Sequence, residues 1–279
     1  MSGSITRNFV RIAEGDVHYR SAGVPVPGRR TLVALHPSPA SSKSLAPLLE
    51  ALAPGGHVIA PDTMGNGQSC ALHCDAPDIA DYAAAMERMA EALGLGEIDL
   101  YGSHTGAHIA VEWAIAQPGR VGSVILDGIA YLPGDLRAEF LDNYAPRIVP
   151  DQIGSQFNQA WHFIRDQMFF FPHYRKDAEH LRVGGSFDAD VLHGLTMDVL
   201  GSLGTYHLAY EAVFRHDLAA RLPLVRQKVL LIVPEDDYLA EGTKFALKNL
   251  PDAVTADVAG DFDMAVRAAA INPFLGRAA

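Results

Sequence analysis

The run Leu100-Tyr101-Gly102-Ser103-His104-Thr105-Gly106-Ala107 is the segment richest in chemical meaning. A strand-like apolar stretch enters it and a helical pattern leaves it, with glycines two places to either side of His104. Glycines there permit a tight strand-to-helix turn, and such a turn thrusts its central side chain above the sheet. The side chain so placed is an imidazole, which can take or give a proton near neutral pH. Ser103 stands one place early, so its hydroxyl is expected to point elsewhere. Two other runs carry reactive types. Cys70-Ala71-Leu72-His73-Cys74 offers three soft ligands, but one Cys-x3-Cys without a second pair falls short of a tetrahedral zinc site, and no metal is expected. Trp161-His162-Phe163-Ile164-Arg165-Asp166 sets one cation among aromatics. Arg165 either grips a substrate carboxylate or carbonyl or pairs with Asp166, and Trp161 is either a pocket wall or packing.

These groups need elements to hold them. Short β-branched runs predict strands at Phe9–Ile12, Val17–Arg20, Thr31–Leu35, Val58–Ala60, Ile98–Tyr101, Val124–Leu126, Val229–Val233 and Ala253–Val258. The first two flank Glu14-Gly15-Asp16, a hairpin signal. From Thr31 onward strands alternate with helical patterns at Lys43–Leu52, Pro77–Gly94, Gly106–Gln117, Gly242–Asn249 and Met264–Asn272, the signature of βαβ units and a parallel sheet. The regularity fails from Tyr131 to Leu218, a stretch rich in aromatics. It reads as a helical insertion over the carboxyl ends of the strands, where open α/β sheets place their ligands.

With these features together, the sequence resembles an α/β-hydrolase of the group with a helical cap, over nearly its whole length. Leu35-His36-Pro37-Ser38-Pro39 is similar to the family's oxyanion loop, and Asp62-Thr63-Met64-Gly65-Asn66-Gly67-Gln68-Ser69 to its D-x-x-G-x-G-x-S loop. Pro234-Glu235-Asp236-Asp237 resembles the loop that carries the acid of the triad, and Gly260-Asp261-Phe262 the Gly-His-Phe that carries its histidine. The resemblance implies an α/β-hydrolase fold, a mostly parallel sheet flanked by helices, with core segments 1–130 and 219–279 and a helical cap at 131–218. The chain departs from the pattern twice: His104 holds the nucleophile position and Asp261 the base position. An acyl-serine cycle is therefore closed to it. Imidazole reaches further than a serine hydroxyl and Asp is shorter than His, so an Asp261–His104 contact is expected, with Asp237 behind it. Asp263 rivals Asp261, either one being able to cap the last helix; Asp127 is an alternative acid position. The implied oxyanion donors are the amides of Thr105 and Ser38, the latter flanked by prolines that have no N–H. His36 either shapes the oxyanion loop from beneath or contacts substrate.

A histidine base beside an oxyanion hole suits hydrolysis of a small apolar or aromatic carbonyl compound (ester, lactone or carbon–carbon bond), with His104 activating water. It equally suits a cofactor-free lyase or isomerase in which His104 removes a proton, and a non-catalytic ligand-binding member of the fold stays open. The partner expected is a small molecule, with no cofactor and a homodimer allowed. In 279 residues, 33 acidic against 22 basic groups leave a net charge of −11, which disfavours a nucleic acid partner. No apolar run has the length to cross a bilayer, and MSGSITRNF has no hydrophobic signal region, so a cytoplasmic protein is expected.

Overall fold

The alternation of apolar runs resolves into eight strands: β1 (Thr6–Ile12), β2 (Gly15–Ala22), β3 (Thr31–Leu35), β4 (Val58–Pro61), β5 (Ile98–Ser103), β6 (Val121–Asp127), β7 (Lys228–Pro234) and β8 (Val254–Val258). The computed structural model describes residues 4–182, 188–235, 238–259 and 263–277. The strands form one sheet in the order β1-β2-β4-β3-β5-β6-β7-β8. β1 and β2 make the antiparallel hairpin, β2 joins β4 antiparallel, and every later pairing is parallel. The helices are α1 (Ala46–Leu52), α2 (Ile79–Ala92), α3 (Thr105–Ala116), α4 (Asp135–Asn143), α5 (Ser155–Phe169), α6 (Ala189–Gly201), α7 (Tyr206–Arg215), α8 (Leu218–Arg221), α9 (Ala240–Asn249) and α10 (Met264–Phe274).

Side chains alternate between the two faces of the sheet, as a period of two requires. Val33, Leu35, Leu100, Val124 and Leu126 pack on the face of α2 and α3. Leu32, Ala34, Tyr101 and Ile125 pack on the face of α1 and α10. Covered on both sides, the central strands read as continuous apolar runs, and all six residues of β5 are buried. The same alternation sends Ser103 and Asp127 to the side of Tyr101. α3 is buried from Thr105 to Ala114, as befits a helix enclosed by the rest of the fold.

Two glycines let α3 leave β5 so tightly. A Cβ on Gly102 would lie 2.3 Å from the Gly106 carbonyl oxygen, and one on Gly106 would lie 2.2 Å from that of Leu35. Both obstacles are backbone, so no side-chain rearrangement would relieve them.

Between β6 and β7 the chain leaves the sheet and builds α4 to α8, mostly helical as the sequence suggests. Phe163, Tyr206, Tyr210 and Phe214 are buried in the main hydrophobic cluster, whereas Phe157 is exposed. α6 meets the segment after β3 through Asp198, whose carboxylate accepts from the Ser41 hydroxyl at 3.4 Å. Burial pushes this carboxyl up to about 6, against the opposing attraction of Lys43. Its folded pKa exceeds the ordinary value, so the folded state holds more protons between about pH 4 and 6. Stability therefore falls as pH rises through that window and stays reduced above it. Asp198→Asn is expected to melt about 2–4 °C higher than the parent at pH 7.5 and level with it at pH 4, in paired thermal melts.

Candidate active site at the end of the fifth strand

His104 stands between β5 and α3 with φ 51 and ψ −108, the single non-glycine residue with positive φ among those described. Left-handed backbone at a non-glycine residue is costly and persists where the surroundings enforce it. Here the His104 amide donates to the carbonyls of Asp127 (3.2 Å) and Gly128 (3.0 Å), while its own carbonyl receives the Ala107 amide. The ring lies against Gly128, where an added Cβ would come 3.4 Å from Cε1.

Each ring nitrogen of His104 has a hydrogen-bond partner. Nδ1 lies 2.9 Å from the Ser103 hydroxyl and Nε2 lies 2.6 Å from the Tyr238 hydroxyl. The Tyr238 ring packs against Phe171 and carries the Arg182 guanidinium 4.2 Å above its centroid, a cation–π arrangement. Ser103, expected to point elsewhere, is buried and turns back onto the imidazole; this corrects the sequence reading. Strand alternation sends it under the turn, and its short side chain still reaches the ring.

Beneath Ser103 lies a buried polar column. The Tyr101 hydroxyl donates to Asp127 at 2.5 Å, and Asp127 receives Arg267 Nε at 2.5 Å and Nη2 at 3.3 Å. Burial and the Asp127 charge hold the Tyr101 phenol far above its ordinary range. Asp127, the alternative acid position, is thereby committed to Tyr101 and Arg267.

The loops around the turn are laced together. His36 is buried, its Nδ1 2.7 Å from the Pro37 carbonyl and its Nε2 accepting the Thr63 amide at 2.9 Å. Burial holds the ring below its ordinary pKa against the pull of the Pro37 carbonyl. Substrate contact through a ring nitrogen, one of the two roles considered for His36, is corrected: both nitrogens serve the loops. Asp62 accepts the amides of Ser42 (2.7 Å) and Gln68 (2.9 Å) and lies 2.8 Å from His18 Nδ1. Burial opposes its charge, yet these donors keep its carboxyl below the usual range. Gly67, at φ 55, has no room for a Cβ, which would lie 2.2 Å from Asp62 Oδ2. The D-x-x-G-x-G-x-S run is thus a scaffold for the turn.

The remaining candidates separate. Arg165 pairs with Asp166 at 2.6 Å, and Lys176 takes the other oxygen of that carboxylate. This is the ion pair that the sequence offered as one of the two readings of Arg165, and the described cation beside Tyr238 is Arg182. Trp161 is half-buried and packs against the main apolar cluster. Asp263 caps α10, accepting from Ala265 and Val266. Asp237 and Asp261 lie outside the described residues. Thr105 opens α3, so its amide has no intrahelical acceptor. The Ser38 carbonyl accepts the Tyr210 hydroxyl at 2.7 Å. Cys70 is half-buried and Cys74 exposed, both as free thiols.

One turn along α3, a second histidine network escaped the sequence reading. His108 Nδ1 meets His216 Nδ1 at 2.8 Å, His216 Nε2 meets Glu112 at 2.8 Å, and Arg221 binds Glu112 through two bonds of 2.7 Å. Burial and then the neighbouring His216 and His104 drive the His108 pKa well down, so that ring is neutral. Burial opposes the Glu112 charge, but His216 and Arg221 bring its pKa down to about 2. The network joins α3 to the end of α7 and to α8.

A family model described as alpha/beta hydrolase fold matches residues 30–179. A 2-hydroxy-6-oxononadienedioate/2-hydroxy-6-oxononatrienedioate hydrolase from Dechloromonas aromatica (strain RCB) is 34% identical over 139 residues, 46% of each chain. A counterpart from Paraburkholderia xenovorans (strain LB400) is 35% identical over 134 residues, 44% of each chain. The matched region thus spans somewhat under half the length of these curated relatives. A hydrolase from Pseudomonas aeruginosa PA01 superimposes with a TM-score of 0.74 at 17% identity, covering 97% of this chain and 98% of that one. A thermophilic esterase from Thermogutta terrifontis gives 0.72 at 17% identity, over 97% and 98%. An epoxide hydrolase from Vigna radiata gives 0.71 at 15% identity, over 98% of each. These structures share the fold.

Proposed function

The chain belongs to the α/β-hydrolase fold family, and from that premise we propose that it hydrolyses a carbon–carbon bond beside a ketone in a small oxo-acid, with His104 as the general base for water. The observation that carries this reading is the imidazole held at the strained turn by Ser103 and Tyr238. The helices between β6 and β7 are read as the cap over that turn.

The names of the relatives describe a dioate with a hydroxyl at C2 and a ketone at C6. Such a compound has no ester, amide or lactone to cleave. A hydrolase acting on it must break a bond from the ketone carbon to a neighbouring carbon. Water adds to the ketone as His104 Nε2 takes one of its protons. With the substrate in its 2-oxo tautomer, the carbon–carbon bond then breaks, its electron pair delocalises through the conjugated chain onto the C2 carbonyl oxygen, and the imidazolium returns the proton to the carbon that left. One new carboxylic acid and one shortened oxo-acid result, and all atoms of water are accounted for.

This sequence of steps asks two things of the chain. A negative oxygen must be stabilised, and the amides of Thr105 and Ser38 are read as its donors. The start of α3 adds the positive end of a helix dipole, and each well-aimed donor contributes roughly 3–4 kcal/mol in such sites. The proton to be removed must also sit near Nε2. The Tyr238 oxygen, 2.6 Å away, marks that position, so water or substrate displaces the phenol when it binds.

Arg182 above the Tyr238 ring brings a cation to the same place and fits a carboxylate of the substrate. Arg182→Gln is expected to raise KM for a 2-hydroxy-6-oxo dienedioate about 10–100-fold, the value of a charged hydrogen bond, with a smaller change in kcat. Turnover in oxygen-18 water tests the reaction itself. One labelled oxygen in the new carboxylate supports hydrolysis. Turnover without label would overturn it in favour of lyase or isomerase chemistry, and a raised melting temperature without turnover in favour of a binding protein.

A further inference from the structure

The loop after β3 has little backbone to hold itself with. Pro37 and Pro39 carry no N–H, so Ser38 supplies the single amide of the run 37–39. That amide meets no acceptor among the described residues, and the Ser38 Oγ, though buried, meets no partner there either. An open donor suits a developing oxyanion, but it cannot fix the loop that bears it. The fixing is done through carbonyls. His36 Nε2 accepts the Thr63 amide, so Nδ1 carries the ring's proton and donates to the Pro37 carbonyl at 2.7 Å. The Ser38 carbonyl accepts the Tyr210 hydroxyl, also at 2.7 Å, from 172 positions along the chain. Tyrosine has one proton to give, and the nearer acceptor takes it, since Gln167 Oε1 stands farther off at 3.2 Å.

Tyr210 is itself firmly held. It is 7% exposed, with its ring against Tyr144 and Phe214 at centroid distances of 5.3 and 5.8 Å. Burial holds the phenol well above its ordinary pKa, so the hydroxyl stays a donor. Its helix, α7, is tied down beyond both ends. Thr205, just before the helix, donates its hydroxyl to the Gly65 carbonyl. His216, just after it, meets His108 and Glu112 of α3. Since α3 opens with Thr105, one helix links the Ser38 loop to the element that carries the second amide.

We propose that Tyr210 is a positioning residue that fixes the Ser38 amide for the oxyanion, so that α7 sets the geometry of the hole from outside the sheet. The inference rests on the reading of the Ser38 and Thr105 amides as oxyanion donors. Tyr210 acts through the loop: without its hydroxyl the Ser38 carbonyl loses its anchor, and a donor displaced by about 1 Å can cost about 100-fold in rate.

The hydrogen bond can be read without turnover, which separates this inference from the functional reading. Ser38–Pro39 is the chain's single Ser–Pro pair, so serine labelled with carbon-13 at the carbonyl, together with nitrogen-15 proline, reports one peptide bond alone. Tyr210→Phe keeps the ring and removes the donor. The Ser38 carbonyl signal is expected to move upfield in this variant, with a melting temperature within a few degrees of the parent. In oxo-acid hydrolysis, Tyr210→Phe should lower kcat about 10- to 100-fold and keep KM within about threefold, because the displaced donor serves the transition state. A purely structural role would lower the melting temperature without that split. An unmoved Ser38 signal, or a moved signal with kcat within about threefold of the parent, would overturn the proposal. If the parent turns over no oxo-acid, the functional reading fails, and the carbonyl signal alone decides the role of Tyr210.

Discussion

His104→Ala is expected to lower kcat/KM for a 2-hydroxy-6-oxo dienedioate by about 100- to 10,000-fold while leaving the melting temperature within a few degrees of the parent. The range is the usual contribution of a positioned general base. Stability should survive because the ring is partly exposed and its described hydrogen bonds run to two neutral hydroxyls, Ser103 and Tyr238. Alanine at φ 51 keeps the backbone cost that histidine already bears, so the substitution adds little strain. Steady-state kinetics beside a thermal melt checks both halves. Activity within threefold of the parent would place the base elsewhere, and Asp261 would then be the first residue to substitute.

The largest stability effect is expected at the other end of the polar column. Asp127 and Arg267 are 3% and 2% exposed, so deleting the carboxylate removes the buried guanidinium's described ion-pair partner in the sheet–helix interface. Asp127→Ala is expected to cost about 3–5 kcal/mol in urea unfolding, the usual cost of removing one partner of a buried ion pair. Tyr101 would lose its acceptor at the same time. The double variant Asp127→Leu with Arg267→Met removes both charges and is expected to recover most of that loss. A single variant within about 1 kcal/mol of the parent would show that Arg267 finds another partner or water.

The sheet was legible because its residues obey a local rule. β3 spans Thr31–Leu35, the stretch its β-branched run marks, and α2 ends before Gly94 as its periodicity indicates. Strand ends were shorter in sequence than in structure where polar residues continue the ladder. Ser103 and Asp127 pair as neighbours at the ends of β5 and β6, and neither looks like a strand residue by type. The turn at His104 was legible for a different reason: glycines at 102 and 106 answer to backbone contacts across the turn, and that need leaves a mark in sequence.

The partners of His104 were less legible. Tyr238 and Arg182 reach the site from distant segments, one after β7 and one between α5 and α6. No spacing rule links them to residue 104. Tyr238 does follow directly on the loop singled out for its acids, so the segment was visible while the residue was not. Arg165 drew notice by standing among aromatics, but a neighbouring carboxylate one residue away satisfies it. The contact of Ser103 with the imidazole depends on a hydroxyl turned back at the end of β5, and Asp127 meets Tyr101 and Arg267 from three separate elements. Only the packed structure brings these together.

The claim on which the mechanism depends is that proton removal by an imidazole, and not attack by a serine, starts the reaction. Intact-mass measurement after exposure of the active protein to a serine-directed organophosphonate tests it most directly. The predicted result is an unmodified mass with oxo-acid hydrolysis undiminished. A stoichiometric adduct mapped to Ser103, Ser38 or another serine beside the turn, together with loss of turnover, would contradict it.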